Sequence, residues 1–126
     1  MTIDNWRFEN NLAVNGGAIY LGCDYLKVCR NSITNSVFTG NNATINGGAI
    51  SYTSYRPTFS NNYFENNSAV YGNDIASFPS KILQDLENGS FSDLLSINDA
   101  PSGSPIQNSI PLVIVDEDFN VMVSII

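Results

Sequence analysis

An all-β chain whose first two thirds form a parallel β-helix is the fold this sequence predicts, and three observations carry the prediction. The first is a word that occurs three times: Phe8 to Ile19 reads FENNLAVNGGAI, Phe38 to Ile50 reads FTGNNATINGGAI, and Phe64 to Ile75 reads FENNSAVYGNDI. Residues ahead of each word extend the match without a gap, since Ile3, Asn5, Phe8 and Asn11 correspond to Ile33, Asn35, Phe38 and Asn41 and then to Phe59, Asn61, Phe64 and Asn67. The second is spacing. Phe8 to Phe38 is 30 positions and Phe38 to Phe64 is 26, the length of one unit in a stacked array whose neighbours bury each other's apolar side. The third is composition. The repeats are rich in Asn, Gly, Thr, Ser, Tyr and Ile and lack the 3.6-residue apolar period and strong helix formers of a helical repeat.

Short extended words such as Ala18 to Leu21 and Ile33 to Phe38, separated by Asn-Gly and Gly-Gly turns, read as strands of successive coils stacked in register at roughly 4.8 Å. Phe8, Phe38 and Phe64 should then form one inward column and Ile19, Ile50 and Ile75 another, each buried side chain contributing roughly 1.5–3 kcal/mol before its entropy is counted. Asn11, Asn41 and Asn67 should form a polar column at a bend, their amides bonding one another and the next coil's backbone. Gly16-Gly17 and Gly47-Gly48 are expected to supply backbone angles that strain other residues, and Gly72-Asn73 fits because Asn tolerates left-handed angles next best. Ala18, Ala49 and Asp74 share a position that faces solvent at least in the third coil.

The pairing of a GGA[ILV] word with an FxxN word resembles the repeats of chlamydial polymorphic outer-membrane proteins. It is similar also to large ciliate surface proteins with a pectin-lyase-like, right-handed parallel β-helix, in which the last coil closes with words like Val70 to Pro79. The likeness covers about residues 1–79 and implies a right-handed β-helix of about three coils on an extracellular or cell-surface protein.

Cys23 and Cys29 bracket an enlarged connection: Ile19 to Ile33 spans 14 positions where Ile50 to Phe59 spans 9. A disulfide there would pin the loop at its base and would need an oxidising compartment; two free thiols or half a metal site are the alternatives, and the lack of any His or further Cys speaks against metal. The ciliate proteins often carry a Cys pair at this place, which implies the bridge. Three N-x-[ST] words, at Asn42, Asn66 and Asn88, are candidate glycosylation acceptors in a secreted protein.

Beyond Pro79 the composition shifts, with four of the five prolines, and the sequence divides into repeats at 1–79, a capping segment and linker at 80–111, and the start of a following β domain at 112–126. Ser80 to Gly89 reads as a short helix capped by those two residues, with a capping strand as the alternative. Ala100 to Pro105 reads as a turn-rich linker, and Leu112 to Ile126 as a hairpin lacking partner strands, from a truncated sandwich-like domain. Ser102 to Ile106 and Val113 to Asn120 are similar to the segment after the β-helix in the ciliate proteins, except that Phe119 replaces a turn glycine, which points to a wider loop. Both ends of the chain look cut, so self-association through open coil ends is expected.

Charge narrows the function classes. The net charge is −7, of which residues 1–78 contribute −1 and residues 79–126 contribute −6. With no basic patch and no His, nucleic-acid binding is not expected. No cofactor or metal is expected either: Asp116-x-Asp118-x-Asn120 starts like a calcium loop but lacks the glycine at its sixth place and the Glu at its twelfth. Catalysis on this fold would need clustered Asp, Arg or Lys, whereas Asp4, Arg7, Glu9 and Glu65 are the repeat words' only charges besides Asp74, and Glu9 and Glu65 fall two coils apart. Trp6, Tyr20, Tyr52, Tyr55, Tyr63 and Tyr71 are candidates for stacking on a sugar or a protein partner. The sequence therefore reads as a non-enzymatic, extracellular repeat protein with a structural or adhesive role, with membrane attachment supplied by other parts of its parent. The alternative is a carbohydrate-active β-helix enzyme whose catalytic residues lie on other coils.

Overall fold

A computed structural model of the chain describes residues 1–24, 26–85, 91–93 and 112–125. The described residues contain strands and turns but no helix. They group into two units, Met1–Phe78 and Pro79–Ile126.

The first unit is a parallel β-helix. Its first coil carries β1 (Thr2–Asp4), β2 (Arg7–Glu9), β3 (Leu12–Asn15) and β4 (Ile19–Leu21), its second β5 (Ser32–Thr34), β6 (Val37–Thr39), β7 (Asn42–Asn46) and β8 (Ile50–Tyr52), and its third β9 (Thr58–Ser60), β10 (Tyr63–Glu65) and β11 (Ile75–Ala76). Equivalent strands pair in parallel across coils, in the orders β1-β5-β9, β2-β6-β10 and β4-β8-β11. The pair β3-β7 is continued into the third coil by bridges from Asn42 to Ser68 and from Asn46 to Tyr71.

Register obeys the repeat. Ile3, Ile33 and Phe59 align, as do Phe8, Phe38 and Phe64, and Ile19, Ile50 and Ile75. The three Phe rings stack nearly parallel, with centroids 5.0 and 5.1 Å apart. Ile33, Phe38 and Ile50 are buried completely, while their counterparts in the outer coils are half-buried. A core residue here owes its burial to a neighbour on each side.

Single left-handed residues turn the coil. Asn5, Asn35 and Asn61 lie between the first and second strands, Asn10, Gly40 and Asn66 between the second and third, and Gly16, Gly47 and Gly72 between the third and fourth, all with φ between 50° and 65°. Asparagine serves at the first two corners because its short amide tolerates this conformation. It does not fit the third, where a Cβ on Gly47 would come within 2.2 Å of the Ile50 carbonyl oxygen.

The second glycine of each pair has a different role from the one expected. Gly17 and Gly48 do not have positive φ; they make room for the next coil. A Cβ on Gly48 would lie 2.1 Å from the Asn73 carbonyl oxygen and 2.6 Å from the Ser68 nitrogen, both main-chain atoms. Asn73 likewise has no positive φ, so tolerance of left-handed angles is not why it replaces glycine. Its side chain instead accepts a bond from the Ala69 N–H at 3.1 Å. Ala49, sharing a position with the exposed Asp74, is fully buried, so that position faces solvent only at the end of the stack.

In the second unit β12 (Lys81–Asp85), β13 (Phe91–Asp93), β14 (Leu112–Val115) and β15 (Val121–Ile125) form an antiparallel sheet ordered β13-β12-β14-β15. The helix favoured for Ser80 to Gly89 is thus a strand over Lys81–Asp85. Ile82 pairs with Ile114 and Leu83 with Val113, so the segment supplies the partner that the hairpin was expected to lack; three apolar residues were too few to separate a helical face from a strand. Leu83, Val113 and Val115 form its small core. The expected loop widening at Phe119 does not occur: Phe119 adopts φ 63° and its N–H bonds the Asp116 carbonyl at 3.1 Å, closing a tight turn. Gly89, the Ala100 to Pro105 linker and Ser102 to Ile106 lie outside the described residues.

Candidate functional site

Among the described residues a polar column of side-chain amides runs through all three coils. Asn11 Nδ2 donates to Asn41 Oδ1 at 2.9 Å, Asn41 Nδ2 to Asn67 Oδ1 at 3.1 Å, and Asn67 Nδ2 to Asp74 Oδ1 at 3.0 Å. The amides also reach back a coil, with Asn41 Nδ2 donating to the Phe8 carbonyl and Asn67 Nδ2 to that of Phe38, each at 3.0 Å. An amide carries both a donor and an acceptor, so it can relay such a chain, whereas the acceptor-only Asp74 carboxylate ends it. Asn41 and Asn67 are buried and fully engaged, which makes this column structural. A second buried group joins Ser51 Oγ to Asn46 Oδ1 at 2.7 Å and Asn46 Nδ2 to Tyr71 Oη at 2.8 Å.

Among the described residues the acidic side chains do not converge on one site. Glu9, Thr39 and Glu65 share one column, which places the two glutamates about 10 Å apart at ordinary strand spacing. Glu9 pairs with Arg7 on its own strand at 2.7 Å. Asp4 accepts from Thr34 Oγ1 at 2.7 Å and from Asn35 Nδ2 at 2.8 Å, and these bonds, that from Thr34 foremost, hold its carboxyl below the usual aspartate range. In the hairpin Asp116 is fully buried, with Oδ1 taking the N–H groups of Asp118 and Asn120 and Oδ2 the Asn120 amide. That carboxylate organises its own turn. Among the described residues no group of three or more acids, Cys or His has the geometry of a metal site.

The six aromatic candidates do not line one stripe. Tyr52 is buried and Tyr71 half-buried in the Asn46 group, while Trp6, Tyr20, Tyr55 and Tyr63 are exposed. Tyr20 lies on β4 and Tyr63 on β10, which belong to different sheets. A surface that sequence reasoning missed lies on the β3-β7 sheet, where Val14, Ile45 and Val70 precede the aligned Asn15, Asn46 and Tyr71 and are exposed together with Leu12, which is 73% accessible. Part of the signal was present, since Leu12 and Val14 flank the inward Ala13 on alternating positions; Ile45, two residues after the buried Ala43, is outward only because the register shifts by one residue between Ala13 and Asn15, which periodicity does not announce.

Cys23 and Cys29 are joined by a disulfide, with Cα atoms 6.1 Å apart. The loop is also tied to the second coil by the Cys23 N–H on Thr53 Oγ1 at 2.7 Å, and it presents Leu26 and Val28 to solvent on either side of Lys27. We expect free-thiol titration of the unfolded, unreduced chain to find no thiol. Replacing both cysteines by serine should cost about 2 kcal/mol by loop-closure entropy while leaving the coil pairing intact, checked by denaturant melts and circular dichroism.

Of the glycosylation candidates, Asn42 donates its amide to Ser68 Oγ at 2.9 Å, and Asn66 is exposed at a left-handed corner. Asn88 lies outside the described residues.

With this geometry in place, comparison with known families is specific. Residues 7–22 and 35–53 match the Chlamydia polymorphic membrane protein repeat. The two stretches cover β2 to β4 and β6 to β8, the FxxN and GGAI words of the first two coils. No curated protein and no solved structure matches the chain. No helix among the described residues is long and apolar enough to cross a membrane.

Proposed function

We propose that this chain is a non-enzymatic β-helical module of a cell-surface or extracellular protein, acting as a rigid display for contact with protein or carbohydrate partners. The observation that carries this reading is the match of two successive coils to the Chlamydia polymorphic membrane protein repeat. The Cys23–Cys29 disulfide supports an oxidising location. A regular stack with satisfied internal polar groups gives a stiff frame, and its outward residues, including Leu12, Val14, Ile45, Val70 and the disulfide-held Leu26 and Val28, are free to vary without disturbing the core. No observation favours the carbohydrate-active alternative: Glu9 is engaged by Arg7 of its own strand, and Thr39 separates it from Glu65 in their column.

The test is antibody labelling of intact cells that make the protein. Antibodies against residues 1–126 should label without permeabilisation, and signal only after permeabilisation would overturn the reading. Incubation with acidic and neutral polysaccharides should leave their chain length unchanged.

A further inference from the structure

Where the fourth strand of one coil leads to the first strand of the next, the β-helix carries positive charge. Two connections meet at this corner, residues 22–31 after β4 and residues 53–57 after β8. Hydrogen bonds join them at both ends: Cys23 N–H donates to Thr53 Oγ1 at 2.7 Å and Ser54 Oγ to the Cys23 carbonyl at 3.2 Å, while Thr58 N–H donates to the Asn31 carbonyl at 2.9 Å. Lys27 and Arg30 are exposed on the first connection and Arg56 on the second, with Asp24 the one acid between them. Three cations against one acid give +2, so the −1 of residues 1–78 leaves −3 for the rest of that stretch.

Apolar side chains share the corner. Leu26 and Val28 are 77% and 67% exposed, and Tyr55 on the neighbouring connection is exposed as well. The bend that carries Leu26 and Val28 is held without their help: the Cys23–Cys29 disulfide closes it, Lys27 N–H donates to the Asp24 carbonyl at 2.9 Å, and Leu26 N–H donates to Asp24 Oδ1 at 3.1 Å. That last bond turns the corner's carboxylate onto its own backbone. Arg7, the remaining cation of residues 1–78, is taken by Glu9, whereas Lys27 and Arg30 form no ion pair among the described residues. The Arg56 guanidinium lies over the Phe59 ring, 4.8 Å from its centroid.

We propose that this corner docks the β-helix on the surface of an anionic phospholipid bilayer, with Leu26 and Val28 entering the headgroup layer and Lys27, Arg30 and Arg56 meeting lipid phosphates. Charge complementarity selects an anionic surface, because cations near such a surface are attracted while the net negative remainder of the β-helix is repelled, which also orients the module. The two aliphatic side chains select among anions. An anionic sugar offers them no apolar phase, and a folded acidic protein would need a pocket shaped to two protruding side chains, whereas a bilayer accepts a convex tip as it stands. Attachment to lipid takes an apolar and a basic signal together, and the corner carries both. Because the disulfide already holds the bend, little ordering is lost on docking. The inference goes beyond the display role proposed above and stands without it.

The test is flotation of the full, oxidised chain with lipid vesicles. Vesicles of phosphatidylcholine mixed with phosphatidylserine should carry the chain with them, vesicles of phosphatidylcholine alone should not, and added salt should release it. The Leu26→Ser/Val28→Ser double variant and Arg30→Glu should each bind at least about tenfold more weakly. Arg7→Glu, the same change of charge placed on β2, should bind like the unaltered chain. All these positions are exposed, so circular dichroism should show the coils intact in every variant. Absence of flotation, equal flotation with the two vesicle types, or equal losses for Arg7→Glu and Arg30→Glu would each overturn the inference. So would binding to heparin or polyglutamate that persists in the Leu26→Ser/Val28→Ser variant, which would assign the corner to an anionic sugar or an acidic protein.

Discussion

Gly48→Ala is expected to collapse the stack, although it adds one methyl group to a residue whose φ is not positive. The new Cβ would lie 2.1 Å from Asn73 O, 2.6 Å from Ser68 N and 2.7 Å from Ser68 O. All three are main-chain atoms held by the inter-coil ladder, so no side chain can swing aside. Relief requires the second and third coils to separate, which breaks bonds such as Ser68 N–H to Asn41 O and Gly48 N–H to Gly72 O. Overpacking alone costs about 1–3 kcal/mol, and the broken bonds bring the expected loss to about 3 kcal/mol or more, a large part of a small domain's stability. A fall in Tm of about 12 °C or more is expected for a unit of this size. Asn73→Ala is the control, because that position already carries a Cβ and loses only the bond from Ala69, about 1 kcal/mol. Comparable melts for the two variants would show that coil spacing does not depend on Gly48.

Ile50→Asp should unfold the β-helix, whereas Ile75→Asp should leave it folded and weakened. Both residues occupy one column, but Ile50 lies between Ile19 and Ile75 and is fully buried, while Ile75, whose strand β11 pairs with β8, is half-buried. A carboxylate at 50 would have to stay neutral or remain buried without a partner, costing several kcal/mol beyond the roughly 1.5–3 kcal/mol of lost apolar transfer. At 75 the carboxylate can turn to water. Circular dichroism and urea melts distinguish the pair: a cooperative transition for Ile75→Asp with none for Ile50→Asp is expected, and equal effects would contradict the layered core.

The sequence alone determined the fold class, the register and the inward columns. Phe8, Phe38 and Phe64 align because a stacked array must place equivalent residues over one another, so a repeat in sequence becomes a column in space. The same logic gave the Asn11, Asn41 and Asn67 column, and the enlarged loop between Cys23 and Cys29 pointed to the bond that joins them. Periodicity was silent wherever a contact does not recur. The chain turns at Asn5, Asn10 and Gly16, yet only the backbone shows that one left-handed residue serves each corner. The role of Gly17 and Gly48 depends on the distance to the next coil, which lies 20 to 30 residues away in sequence. The pairing of Lys81–Asp85 with Leu112–Val115 likewise joins segments with no shared motif, so local propensity could not distinguish a strand there from a helix. The candidate surface was the least legible part: exposure of Leu12, Val14, Ile45 and Val70 is set by which strand face meets the core, and a shift of one residue would have buried them. Tertiary structure decided these features because each depends on what lies one coil or one strand away.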